Sequence, residues 1–434
     1  MKEREIAFRL LLKIEKGAYA NLILEETLRQ QKNLEPQQRH LITELVYGTV
    51  KYRLKLDWPI DQLVHRKNKL AMGPRILLRL AFYQLFFLER IPPFAVVNET
   101  VNLAKKYYHS GIANLVNGLL RNFLRNPQQV VWPNPEMEPL KYLSVVYSHP
   151  LWMIQRWVER YGWENTRELC LFNNQPAELW IRTNTLKCTR KELLARLKAE
   201  GCLAVSGKLV PESILLKKSP VITTLPSFRA GWFFVQDETA QLISHWVDPQ
   251  PGEIILDVCA APGGKTTHLA QLMNNRGKII ACDLHPHRIT LIEKNAARLG
   301  IEIIEPRVVD VTKLKNSLKG SFTKILLDAP CSGLGVLRRR PDARWRKKEA
   351  SIKELALLQL NILENIVPFL APGGKLIYST CTLEPEENFQ VIETFKKRYP
   401  QMASKPYKSK ACQQFLPFLD TREGFFIARL QKEN

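Results

Sequence analysis

The stretch Ile254-Ile-Leu-Asp257-Val-Cys259-Ala260-Ala261-Pro262-Gly263-Gly264-Lys265 decides the reading of the fold. A short apolar run ends on an aspartate and passes into a loop of small residues, two of them glycine. The same rhythm recurs downstream. Lys278-Ile-Ile-Ala-Cys-Asp283, Arg307-Val-Val-Asp310, Lys324-Ile-Leu-Leu-Asp328 and Lys375-Leu-Ile-Tyr-Ser379 are further apolar runs. Helical stripes such as Ile289, Ile292, Ala296 and Leu299 separate several of them. Strands apolar on both faces and alternating with helices predict a parallel, doubly wound, Rossmann-like α/β sheet over residues 231–434.

In such a sheet ligands sit outside the carboxyl ends of the strands, so Asp257, Asp283, Asp310 and Asp328 are expected at one crevice. The small residues 259–265 let backbone N–H groups approach a ligand at a helix N-terminus. Asp283 is placed to hydrogen-bond ribose hydroxyls, and Asp310 to meet an adenine amino group. The loop lacks both the G-x-G-x-x-G of dinucleotide folds and a full P-loop, although Gly264-Lys265-Thr266 echoes the end of the latter. The pattern suits a nucleoside cofactor without a polyphosphate. Singly, each aspartate could instead be a helix cap or turn former, Asp257 above all.

Two cysteines lie at the same rim. Cys331 follows the fourth strand in Asp328-Ala-Pro-Cys-Ser-Gly333, and Cys381 follows the fifth in Ser379-Thr-Cys-Thr382. Both sit in polar loops, unlike Cys170, Cys188 and Cys202, which read as small buried hydrophobes. None of the eight cysteines forms a C-x-x-C pair, so neither a disulfide framework nor a metal site is indicated.

Upstream, residues 1–130 read as an all-α domain. Ile6, Leu10 and Ile14 recur every fourth residue; Ile42, Leu45, Val46 and Val50 repeat the stripe, as do Leu77, Leu80, Ala81 and Leu85. A proline-rich boundary over residues 126–139 precedes a small α+β domain at 140–230, with strands expected at Glu178–Asn184 and Ser213–Lys217 and a capped helix from Thr189. The 434 residues carry 64 Lys plus Arg against 42 Asp plus Glu, a net charge of +22 that points to a polyanionic partner such as nucleic acid. In residues 337–353, eight basic and two acidic residues surround Trp345, which suits phosphate contacts and a stacking ring. The apolar stretch Ile76–Leu88 is interrupted by Arg79 and Gln84 and is too short to span a bilayer, so a cytoplasmic protein is expected.

Cys259-Ala-Ala-Pro-Gly-Gly-Lys265, Asp328-Ala-Pro-Cys-Ser-Gly333 and Ser379-Thr-Cys-Thr382 together resemble the RNA cytosine-C5 methyltransferases that use S-adenosylmethionine. Gln236-Asp-Glu-Thr-Ala-Gln-Leu242 and Gly335-Val-Leu-Arg-Arg-Arg-Pro-Asp-Ala-Arg-Trp345 are also similar to that family. The N-terminal part resembles NusB-like RNA-binding domains, in Leu80-Ala-Phe-Tyr-Gln-Leu85, Ala95-Val-Val-Asn-Glu99 and Val116-Asn-Gly-Leu-Leu-Arg121. That fusion is similar to bacterial enzymes acting on small-subunit (16S) ribosomal RNA. The resemblance implies Cys381 as nucleophile and Cys331 as the aid to product release. It implies Cys259, Ala260, Ala261, Pro262, Gly263, Gly264, Lys265, Asp283, Asp310 and Asp328 as the S-adenosylmethionine site. Position alone cannot say which thiol attacks.

The chemistry asks for such residues. C5 of cytosine is a poor nucleophile until a thiolate adds at C6, and a free thiol is only a few per cent thiolate at neutral pH. Lys265 or the arginines after Cys331 could supply the positive field, and Asp328 could orient the base. No metal is called for. The expected partner is 16S ribosomal RNA, free or incompletely assembled, met by a monomer. The alternatives are a non-catalytic RNA-binding or ribosome-assembly factor, and C5 methylation of another RNA such as tRNA.

Overall fold

The computed structural model describes residues 2–31, 33–64, 70–314 and 320–433. The chain divides into two compact units, 1–175 with 337–347, and 176–336 with 348–434.

The first unit is helical: α1 (Lys2–Glu15), α2 (Ala20–Gln30), α3 (Pro36–Lys51), α4 (Arg53–Leu63), α5 (Met72–Phe87), α6 (Pro93–Tyr107), α7 (Ser110–Arg125), α8 (Pro139–Val146) and α9 (Leu151–Asn174). The opener Glu35-Pro36 works as read. Glu35 and Gln38 form a reciprocal capping box, and Ile42, Leu45, Val46 and Val50 are buried behind it. Helix α5 is more than amphipathic, since Ile76 to Tyr83 is buried without a break. Arg79 within that run is neutralised by Asp57, through Nε–Oδ1 and Nη2–Oδ2 bonds of 2.7 Å each, and by Glu15. A buried guanidinium requires such pairing.

Residues 337–347, part of the stretch 337–353 expected to face RNA, turn Arg338, Arg344, Trp345 and Arg346 onto this unit instead, while Arg340 stays exposed. They form a strap within this unit. Arg344 is fully buried and donates to the carbonyls of Ser148 (2.9 Å), Lys51 (3.3 Å) and Asn173 (3.3 Å) and to Asn174 Oδ1 (3.0 Å). Trp345 Nε1 donates to Val50 O at 2.6 Å, and its ring packs on the helical core. Arg346 donates to Gly17 O at 2.9 Å and to Ala18 O, over the Tyr19 ring. Arg338 lies on the Phe172 ring, 4.3 Å from its centroid. These cations satisfy loop and helix-end carbonyls, which composition alone could not distinguish from phosphate contacts.

The second unit holds two sheets. In the first, β1 (Leu179–Thr183), β2 (Leu203–Ser206), β3 (Ser213–Lys218) and β4 (Phe233–Val235) run antiparallel in the order β2-β3-β1-β4. Helix Arg190–Ala199 beside it has the expected Thr189–Glu192 capping box. The second sheet contains β5 (Ile254–Asp257), β6 (Lys278–Asp283), β7 (Ile304–Val308), β8 (Phe322–Asp328), β9 (Leu370–Thr380), β10 (Met402–Ser404), β11 (Cys412–Phe415) and β12 (Phe425–Lys432). Its order is β10-β12-β9-β8-β5-β6-β7, with β11 also on β12.

This sheet is mixed, not wholly parallel as expected. Strands β5 to β9 are parallel, but β12 enters antiparallel beside β9 and carries β10 and β11 antiparallel on it. The apolar run Phe425-Phe-Ile-Ala-Arg-Leu430 forms β12, and it follows β11 and a four-residue helix, Pro417–Asp420, with no long crossover helix that a parallel neighbour of β9 would need. Strand β7 also ends earlier than read, at Val308, so Asp310 lies two residues beyond it.

Candidate active site

Strands β8 and β9 are parallel neighbours with Asp328 in register with Ser379. Cys331 follows three residues after the first and Cys381 two after the second, so pairing of the strands brings the two loops together. The thiols lie 3.3 Å apart, and the Cys381 N–H points at Cys331 Sγ, also at 3.3 Å. Neither cysteine is in a disulfide, and both are partly exposed. The hydrogen bond to Cys381 and burial push the Cys331 thiol well above its ordinary range, and the nearby Glu387 charge adds to that.

Lys265 is the second residue of the helix Gly264–Leu272, two residues after the N-cap Gly263 with its left-handed φ of 94°. Its Nζ sits 2.5 Å from Asp328 Oδ2, while Ser379 Oγ donates to Asp328 Oδ1 at 2.8 Å. Lys265 thus holds the carboxylate that ends β8. Of the arginines after Cys331, Arg338, Arg344 and Arg346 make the strap contacts described above.

The cofactor loop fits a polar ligand. Asp257 is 1% exposed; its Oδ2 accepts from Thr266 Oγ1 at 2.7 Å, and its Oδ1 has no partner. Burial pushes its carboxyl up to about 7, with the charges of Asp328 and Asp283 adding to the rise. Asp283 Oδ1 accepts from His285 N at 3.1 Å. Asp310 turns inward on its own loop, Oδ1 accepting from Thr312 N at 3.0 Å and Thr312 Oγ1 at 2.6 Å. Burial, followed by the Asp257 charge, pushes the Cys259 thiol well above its ordinary range. Cys170, Cys188 and Cys202 are buried as expected.

Sequence reasoning missed Arg182. This residue of β1 is fully buried, and its guanidinium donates to Gly264 O at 2.6 Å and Thr267 Oγ1 at 2.9 Å, gripping the turn where the cofactor loop becomes helix. A charge inside the apolar run Leu-Trp-Ile-Arg-Thr was the available signal. Glu212, His245 and His268 make a compact group within electrostatic reach of Arg182. Glu212 Oε1 lies 2.7 Å from His245 Nε2 and 2.5 Å from His268 Nε2. Burial opposes the Glu212 charge, yet both histidines hold it well below the usual carboxylate range, while burial takes His268 down to about 3.

With this geometry in place, comparison with known proteins is informative. Residues 244–431 match the family described as 16S rRNA methyltransferase RsmB/F, residues 1–125 the NusB family, and residues 149–223 the ferredoxin-like domain of RsmF/B-like methyltransferases. The sheet, loop and matched families define an S-adenosylmethionine-dependent methyltransferase. A probable ribosomal RNA small subunit methyltransferase B of Bacillus subtilis is 37% identical, over 99% of this chain and 98% of its own. One from Synechocystis is also 37% identical, over 99% of both chains. The crystal structure of PH0851 superposes with a TM-score of 0.85 at 29% identity, over 99% of this chain and 98% of that one. The chain belongs to the ribosomal RNA small subunit methyltransferase B family. Among the described residues, no helix is long and apolar enough to cross a membrane.

Proposed function

We propose that the protein methylates C5 of a cytosine in 16S ribosomal RNA through a covalent adduct between Cys381 and C6 of the base. The observation that carries this is the pair of thiols 3.3 Å apart at the ends of adjacent parallel strands, beside the Lys265–Asp328 pair. Cys381 adds through Sγ to C6, which places electron density on C5. S-adenosylmethionine, when bound, supplies an electrophilic methyl group. Loop 259–265 with Asp257, Asp283 and Asp310 would hold it. Asp328, anchored by Lys265 and Ser379, hydrogen-bonds the cytosine edge as charge shifts across the ring. A base then takes the C5 proton, its electron pair reforms the C5–C6 double bond as the Cys381 thiolate leaves, and Cys331, kept as a thiol, assists this elimination by donating to the departing sulfur. The target carbon is inaccessible in a stacked helix, so the base is taken unpaired or flipped out.

In this reading the helical domain (1–130) serves RNA capture, the α+β domain (140–230) connects it to the rest, and the catalytic domain (231–434) does the chemistry. The net charge of +22 supports a nucleic-acid substrate. The enzyme works as a cytoplasmic monomer on RNA that is free or incompletely assembled. Incubation with labelled S-adenosylmethionine and deproteinised 16S RNA, followed by bisulfite sequencing, tests the proposal. One protected cytosine is expected. Label incorporated without a protected cytosine would overturn the C5 assignment.

A further inference from the structure

Neither thiol loop is held by a strand ladder where it matters. The chain from Ala329 to Gly333 has no regular structure, so Cys331 and Ser332 must be placed by something else. Behind them lies a carboxylate. Glu387, fully buried, sits in a short turn Pro385–Glu387, six residues after Cys381. Its Oε2 accepts from Ser332 N at 2.8 Å and from Gln359 Nε2 at 3.0 Å. Its Oε1 accepts from Ser332 Oγ and from Thr382 Oγ1, the latter at 3.2 Å. The two hydroxyls touch each other at 2.7 Å. Ser332 directly follows Cys331 and Thr382 directly follows Cys381, so a single carboxylate grips both loops one residue past each thiol.

The grip is itself anchored. Gln359, on the helix Ala350–Ile366, also donates to Pro330 O at 3.0 Å, on the other side of Cys331. Tyr378 of β9 donates to the Glu387 carbonyl at 2.6 Å and also bonds Gln359 Oε1 at 3.0 Å. A carboxylate out of water is sustained only where its lone pairs are filled, and here donors from three segments fill them.

We propose that Glu387 is the positioning residue of the site, joining the two cysteine loops and setting the separation of the Cys331 and Cys381 thiols. This rests on the reading that these thiols are the reacting groups. Two effects follow. Geometrically, the bonds to Ser332 and Thr382 keep the thiols within contact. Electrostatically, the Glu387 charge helps to keep Cys331 protonated, which suits a proton-bearing partner to the Cys381 thiolate. The carboxyl is itself raised by burial, against the hydrogen bonds from Ser332, Gln359 and Thr382.

The two effects separate in two variants. Glu387→Gln keeps the size, its amide oxygen can accept from Ser332 N and Gln359 Nε2, and its NH2 can donate to the Ser332 and Thr382 hydroxyls, so the grip survives with bonds reversed at one atom while the charge is lost; Glu387→Ala removes the grip. In the RNA-free enzyme, alkylation by iodoacetamide, read peptide by peptide across pH, reports each thiol. Glu387→Gln should move the alkylation midpoint of Cys331 to lower pH and lower kcat by about tenfold, with KM for RNA unchanged. Glu387→Ala should lower kcat by about 10²-fold or more and alter both alkylation profiles, with S-adenosylmethionine affinity and cooperative melting retained. A purely structural glutamate would move melting but not the alkylation pH profile. Wild-type profiles together with wild-type kcat in Glu387→Gln would overturn the proposal, even if Glu387→Ala fails to fold. The underlying reading is judged separately: if Cys331→Ala traps no RNA adduct on a denaturing gel, the covalent mechanism fails, while the alkylation result still decides the role of Glu387.

Discussion

The loop Pro330–Gly333 and the strap Leu337–Lys347 are near neighbours in sequence, yet they use polar groups in opposite ways and belong to different compact units. In the loop, Ser332 turns inward to Glu387 and leaves the Cys331 thiol at the rim. In the strap it is the charged and aromatic tips that turn inward, with Arg344 at four acceptors and Trp345 on a carbonyl. The contrast separates residues that fold the chain from those free to act. A side chain whose donors are spent on main-chain carbonyls is committed to folding, whereas one left at the rim by pins on its neighbours is available for chemistry.

The sharpest way to break this comparison is to remove the rim thiols. Cys381→Ala should lower turnover by at least about 10⁴-fold, since a covalent catalyst without its nucleophile retains only binding and positioning. It should form no adduct while melting as the wild type does. Cys331→Ala should permit attack and methyl transfer but stall elimination, so a covalent complex with methylated RNA accumulates as a shifted band on a denaturing gel. A shifted band from Cys381→Ala would reverse the roles.

The strap predicts the opposite profile. Arg344→Ala leaves buried carbonyls without donors and should destabilise the protein by about 3 kcal/mol or more, measured by urea unfolding. Arg344→Lys should not rescue it, because one ammonium cannot reach acceptors contributed by three separate segments. The salt dependence of RNA affinity should stay as it was. A loss of RNA affinity without a loss of stability would restore the RNA-facing reading of the strap.

What was legible in the sequence follows the same division. Strand ends, the small-residue loop and the two rim cysteines announce themselves because backbone geometry, not tertiary partners, dictates where they fall. Glu387 and Arg344 did not. Each acts through partners distant in sequence, and a glutamate in Pro385-Glu-Glu-Asn388 or an arginine in a basic run looks the same whether solvated or buried. Asp310 was misplaced for a lesser reason, since the run before it does not mark where β7 stops pairing with β6 at Val308.

Among the rim carboxylates, Asp283 should matter to the cofactor more than to the fold. Asp283→Ala should weaken S-adenosylmethionine binding by about 1–3 kcal/mol in calorimetry, the usual cost of losing charge-assisted hydrogen bonds to a ligand. Equal affinity would remove it from the cofactor site.

Asp257 offers the smallest effect and tests whether the rim carries strain even without ligand. Its carboxyl is buried with one oxygen unpartnered and is raised to about 7 from an ordinary 3.8. A carboxyl raised on folding binds its proton more tightly in the folded state. Its contribution to stability is therefore present at low pH and is lost as pH rises from about 4 through about 7. His268, held neutral by burial, works the other way, costing stability as pH falls below its unfolded value. The two must be separated by substitution. Asp257→Asn keeps an acceptor for the Thr266 hydroxyl and cannot ionise, so the variant-minus-wild-type difference should grow with pH across that window and level off above it. Thermal melts of the ligand-free protein at pH 5 and pH 8 should show the Asn variant gaining about 1 kcal/mol or more between the two conditions. A constant difference would mean that Asp257 ionises normally in the fold, and that the orphaned oxygen finds water there.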